Sequence, residues 1–180
     1  MINTHCSHCG LHQGAMETSS RLCPNCHQWT YVNPTPVVCV LLKVAGGWED
    51  EQDKEDGYNW ANGILLVRRN IEPGFGELAL PGGYVDMGEN WQQASRRELF
   101  EETGVLTDAD GYELYDVIST ERSILLFTWN PRIEIDIRRI DMSLTNEETS
   151  ELVFTREPVK LAFPAHTKVM HDFYTDQLDY

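Results

Sequence analysis

From Pro36 to Val44 every residue except Lys43 is apolar, a run of strand length that predicts one buried central strand. A second apolar run, Ile64 to Val67, predicts another strand ending at Arg68-Arg69. A short strand near Leu78–Leu80 leads into Pro81-Gly82-Gly83. From Asn90 the pattern changes to a helix running to Glu102. Asn90 stands as N-cap, Gln93 as its capping-box partner and Gly104 just beyond the end as C-cap. Tyr112–Ile118 and Ser123–Trp129 read as a strand pair turning at Thr120-Glu121-Arg122, and Leu152–Thr155 as a further strand. His166–Leu178 reads as a final helix with Val169, Met170, Phe173 and Tyr174 on one apolar face. The order of elements predicts an α+β protein. No internal repeat and no low-complexity tract interrupts it.

Charge divides the chain. It has 180 residues, room for one ordinary domain or a medium domain with a small appendage. Acids number 29 and bases 14, a net charge of -15. Residues 1–33 hold one acid (Glu17) and one base (Arg21), with four of the five cysteines and four of the six histidines. The whole -15 therefore lies in residues 34–180. We place a boundary at Asn33-Pro34, a turn dipeptide. An acidic surface repels phosphate backbones and anionic lipid, which argues against nucleic-acid and membrane partners. No apolar run approaches the ~20 residues of a membrane span, and the first residues lack the features of a signal peptide. A soluble, cytoplasmic protein is expected. Glu49–Asp56, with six acids and one lysine, reads as a solvated loop between strands.

The N-terminal cysteines form two Cys-x-x-Cys knuckles, Cys6-Ser-His-Cys9 and Cys23-Pro-Asn-Cys26, separated by 13 residues. This spacing predicts a closed four-thiolate zinc site, structural because it leaves no open position. Two disulfides or free thiols are the alternatives, and the absence of a secretory signal disfavours disulfides. Gly10 suits a knuckle that needs positive φ; His27 occupies the equivalent place in the second. His5, His8, His12 and His27 could compete as ligands, although exposed loop histidines are the plainer reading. Cys39 reads as a small buried core residue.

On the predicted helix, Glu98, Glu101 and Glu102 fall within an arc of about 100°. Clustered carboxylates repel one another unless a cation sits among them, and hard oxygen ligands suit Mg²⁺ or Mn²⁺. A solvated face with Arg97 paired to Glu101 at i, i+4 is the plain alternative. The spacing around the helix decides between them. Gly83-Tyr-Val-Asp-Met-Gly-Glu89, seven residues, then Arg97-Glu98-Leu99-Phe100-Glu101-Glu102-Thr103-Gly104-Val105 resembles the Nudix box at every defined position. Leu80-Pro81-Gly82 matches the usual lead-in.

This resemblance implies an α/β/α sandwich with a mixed sheet over residues 34–180, preceded by a zinc ribbon over residues 1–33. It implies that Glu98, Glu101 and Glu102, with the Gly82 carbonyl, hold catalytic Mg²⁺ or Mn²⁺. Arg97 would steady the glutamates, and Glu89 would anchor the loop or reach metal through water. A general base or extra ligand often comes from outside the box. Glu148 is the first choice and Glu147 the second, both just before the strand at Leu152. The reaction implied is hydrolysis of the diphosphate in a nucleoside diphosphate derivative.

The knuckles, with Tyr31-Val-Asn-Pro-Thr-Pro-Val-Val38, resemble the ribbon arm of the NADH pyrophosphatases and a related ADP-ribose and FAD pyrophosphatase group. Leu106–Ser119 lacks the Pro-rich aromatic stretch of the former, whereas Leu161-Ala-Phe-Pro164 is similar to the latter. ADP-ribose or FAD is the expected substrate. NADH, nucleotide sugars, nucleoside triphosphates or a non-catalytic ligand-binding regulator are the alternatives. Tyr84, Phe127, Trp129 and Phe163 could stack on a base, although core or edge positions are the plainer reading. By resemblance, a homodimer is allowed.

Overall fold

A computed structural model describes residues 4–16, 19–46 and 61–178. The acidic stretch Glu49–Asp56 lies outside them. The N-terminal segment carries a small antiparallel hairpin, β1 (Ser20–Leu22) with β2 (Trp29–Tyr31). Both knuckles close in the same way. Gly10 donates its N–H to the Cys6 carbonyl and His27 donates to the Cys23 carbonyl, each at 3.0 Å. Gly10 (φ 74°) and His27 (φ 56°) both take the left-handed conformation, so the analogy between the two positions holds despite the side chain at the second.

The apolar run at Pro36 does not form one strand. It splits into β3 (Thr35–Leu41) and β4 (Lys43–Gly46) on either side of Leu42. β3 pairs parallel with β8 (Ser123–Trp129), which pairs antiparallel with β7 (Glu113–Ser119). β4 pairs antiparallel with β5 (Ala61–Arg69) and parallel with β9 (Ile135–Asp136). β5 also carries β6 (Leu78–Ala79) and β10 (Thr149–Thr155). Both sheets are thus mixed or extended through parallel pairs. A run that is apolar on both faces says that the chain is buried, but not where its hydrogen-bonding partner changes.

Side chains of adjacent strand residues point to opposite faces. Cys39, Leu41, Ile64 and Leu66 pack with Val169, Met170, Phe173 and Tyr174 of helix α2 (Pro164–Gln177). Val40, Leu65 and Val67 pack with Leu99 of helix α1 (Trp91–Thr103) and with Val105 and Tyr112. The strands therefore lie between two helices, the α/β/α sandwich expected. Cys39 is fully buried, as read from its neighbours. Among the described residues, no helix is long and apolar enough to cross a membrane.

Candidate functional site

The site is built where residues 81–85 run beside β3. Val40 N–H bonds the Pro81 carbonyl (2.7 Å), Val38 N–H the Gly83 carbonyl (2.9 Å), and Val85 N–H the Pro36 carbonyl (3.1 Å). Gly82 sits between these bonds at φ 153°, and a Cβ there would fall 2.0 Å from the Val38 carbonyl oxygen. Its N–H turns to the helix and donates to Glu102 Oε2 at 2.8 Å. A Cβ on Gly83 would lie 2.5 Å from Glu98 Oε1. Two adjacent glycines thus let backbone lie directly against two glutamate carboxylates.

The helix carrying those glutamates starts and stops as its sequence predicts. Asn90 Oδ1 accepts the Gln93 N–H (2.8 Å), and Gln93 Oε1 accepts the Asn90 N–H (2.9 Å). Gly104 ends the helix at φ 70°. Glu98 and Glu102 are buried, whereas Glu101 is exposed.

Arg97 spends its whole guanidinium here. It donates to both oxygens of Glu89 (2.6 and 3.2 Å), to Glu98 (2.7 Å), to Glu101 (3.1 Å) and to the Tyr84 carbonyl (2.9 Å). Glu89 also accepts the Asp86 N–H at 2.8 Å, so the loop before the helix is tied to the helix through one fork. The Arg97–Glu101 pair of the solvated-face reading exists, but as one arm of this larger network.

Electrostatics mark the buried carboxylates. Burial pushes the Glu102 carboxyl up to about 8; the charges of Glu98 and Glu148 push the same way, against the Gly82 N–H and Arg69. Burial also raises Glu98, against the bonds from Arg97. Glu148 is a minor contributor, through its charge, to both upward shifts. Its loop is held by Asn146, which accepts the Glu148 N–H (2.8 Å) and donates to the Glu101 carbonyl (2.8 Å). Carboxylate oxygens are the donors a hard divalent cation takes. Among the described residues, however, Glu98, Glu101 and Glu102 do not gather into a group with ligand atoms within 4.8 Å of one another; Glu98 and Glu101 instead share the Arg97 guanidinium.

Sequence reasoning passed over Arg69. Its Nε donates to the Pro73 carbonyl (2.7 Å) and its guanidinium lies over the Phe163 ring (5.2 Å to the centroid). Its charge reaches Glu102 and His166. The signal was a pair of arginines closing a strand in an acidic chain, and neighbouring Arg68 instead pairs with Glu151. Of the four candidate stacking aromatics, Phe127 is core, Trp129 packs on Phe173, Phe163 lies under Arg69, and Tyr84 is exposed.

Residues 51–172 match the NUDIX domain family. The chain belongs to the NUDIX family. An ADP-ribose pyrophosphatase of Methanocaldococcus jannaschii is 49% identical over 45 residues, 25% of this chain and 27% of that protein. An NAD-capped RNA hydrolase NudC of Haemophilus influenzae is 33% identical over 113 residues, 58% of this chain and 35% of that protein. The chain thus aligns with only about a third or less of either relative's length. A NUDIX hydrolase structure from Nitrosomonas europaea superposes with a TM-score of 0.61 at 19% identity, covering 97% of this chain and 92% of that one.

Outside the NUDIX box, the four cysteines are gathered. Their sulfur atoms all lie within 4.8 Å of one another, the only such group of three or more His, Cys, Asp or Glu side chains among the described residues. Cys6 and Cys26 sulfurs are 3.6 Å apart, Cys9 and Cys23 sulfurs 3.7 Å. A disulfide needs about 2.05 Å. A tetrahedron of ~2.3 Å Zn–S bonds has edges of ~3.8 Å, so the set fits zinc. None of the four nearby histidines joins this group.

Proposed function

We propose that the protein is a Mg²⁺- or Mn²⁺-dependent pyrophosphohydrolase that cleaves the diphosphate of an ADP-containing metabolite, ADP-ribose or FAD. The observation that carries this reading is the pair of buried carboxylates, Glu98 and Glu102, seated on the Gly82-Gly83 backbone. Glu98, Glu101, Glu102 and the Gly82 carbonyl would hold the cation, which supplies charge neutralisation at the diphosphate and a more acidic water. Glu148 takes the proton of the water that attacks one phosphorus, and the bridging oxygen leaves with the other phosphate. Arg97 holds Glu98 and Glu101 in place, and Arg69 offers its unspent N–H groups to phosphate oxygens. Residues 1–33 form a zinc ribbon on Cys6, Cys9, Cys23 and Cys26, and residues 34–180 form the hydrolase domain.

The ADP-ribose pyrophosphatase named among the relatives supports this substrate class. The NudC relatives favour a second reading, a dinucleotide such as NADH or an NAD-capped RNA. The net charge of -15 opposes an RNA body, and residues 106–119 lack the Pro-rich aromatic stretch of the NADH-cleaving group. A panel of ADP-ribose, FAD, NADH, NAD, nucleotide sugars, triphosphates and NAD-capped RNA, assayed with Mg²⁺, tests both. AMP released from ADP-ribose or FAD with the highest kcat/KM is expected. Glu101→Gln should lower kcat at least a hundredfold while leaving the circular dichroism unchanged. Turnover of none of the panel would sink the hydrolase reading in favour of a ligand-binding regulator.

A further inference from the structure

We propose that His5 and His12 form a metal site of their own: a surface chelate of two imidazoles for a borderline divalent cation such as Ni²⁺, Cu²⁺ or Zn²⁺. The two residues face each other across an isolated antiparallel bridge. The flanking hydrogen bonds run from Cys6 N–H to the Leu11 carbonyl (2.9 Å) and from Gln13 N–H to the Thr4 carbonyl (2.8 Å). No bond joins residues 5 and 12 themselves in that pattern. They are a non-hydrogen-bonded pair, the cross-strand position at which side chains approach most closely.

The rings use that proximity. Their centroids are 4.9 Å apart with planes at 67°, and both residues are exposed. Bonds of ~2.0–2.1 Å from two ring nitrogens to one ion bring those nitrogens within about 4 Å of each other. His5 Nδ1 lies 2.9 Å from Thr4 Oγ1. The tautomer that donates to that hydroxyl leaves the Nε2 lone pair free, and such a second bond is how metal-binding imidazoles are oriented.

The pair is chemically separate from both other sites. The thiolate group closes without either imidazole. Imidazole prefers nickel, copper and zinc to magnesium, so this pair and the carboxylates would not compete for one ion. Residues 1–33 carry one acid and one base beside a body of charge -15, whose field draws cations toward the molecule. His5 and His12 also close the ends of the loop that carries Cys6 and Cys9. An ion between them staples that loop and slows loss of metal from the thiolates.

The test is titration of the whole 180-residue chain with Ni²⁺ in excess Mg²⁺, read by calorimetry and by NMR of the imidazole protons. One equivalent of Ni²⁺ should bind, broadening the His5 and His12 signals and sparing His171. His5→Gln and His12→Gln should each weaken binding about tenfold or more, and His8→Gln should leave it unchanged. Absence of binding, equal affinity in either single variant, an equal loss in His8→Gln, or stoichiometric displacement of zinc by Ni²⁺ would overturn the site.

Discussion

His166 shows how one residue can couple the core to pH. It lies between the rings of Phe127 (5.5 Å) and Phe163 (5.0 Å), with Nε2 3.3 Å from Cys39 Sγ and Nδ1 buried without a partner. Burial pushes its pKa down to about 4, and the Arg69 charge adds to the effect. An unfolded histidine titrates near 6.5, so on acidification the unfolded chain takes the proton first. This contribution is complete above pH 6.5 and is lost as the pH falls toward 4. His166→Phe should flatten that slope by about 3 kcal/mol, measured as the change in urea-unfolding free energy of variant against wild type between those two pH values.

Arg97 works at the same scale through geometry. Lysine keeps the charge but not the fork that spans Glu89, Glu98, Glu101 and the Tyr84 carbonyl. Arg97→Lys should lower kcat about tenfold or more, because an ammonium presents its three donors from one point and cannot span all five contacts.

At the scale of the element, helix α1 was the most readable part of the chain. Its start, end and charged face all follow from local rules: a capping box, a left-handed glycine and a 3.6-residue period. Asn90→Ala should cost about 1 kcal/mol in urea unfolding, by removing the bond to the Gln93 N–H. Activity in the absence of denaturant should stay near normal, because tertiary packing of Ala94 and Leu99 still seats the helix. Helix α2 was legible from its apolar face alone and begins at Pro164, two residues before the expected start, while the β7–β8 pair was legible from its strand residues and turn. The division of Pro36–Val44 into β3 and β4 was not, because pairing to β8 and to β5 depends on residues far away in the sequence. The same holds at the loop before β10. Glu147 and Glu148 look alike in sequence, and which of them faces the box depends on approach between distant segments.

At the scale of the whole molecule, the N-terminal segment and the sandwich have separate means of support. Both core clusters draw only on residues from Val37 onward, whereas Cys6 and Cys23 are buried in their own small cluster. Metal chelation with thiol blocking should therefore abolish order around β1 and β2 while the main cooperative melting transition persists. Zinc release with a dye, hydrogen exchange and calorimetry on the same sample would read the two parts separately. A single transition lost with the metal would contradict this division.

The sequence by itself determined what local spacing encodes. That includes the two knuckles with the left-handed Gly10 after the first, the capped helix, the box from Gly83 to Val105, and the burial of its strands. These features repeat at fixed intervals, so backbone geometry alone connects them. The tertiary structure decided what depends on approach between distant segments. It laid Gly82 and Gly83 against Glu102 and Glu98, and stacked Arg69 on Phe163. The physical reason is range: periodicity says which face a side chain takes, but only packing of the whole chain says what that face meets.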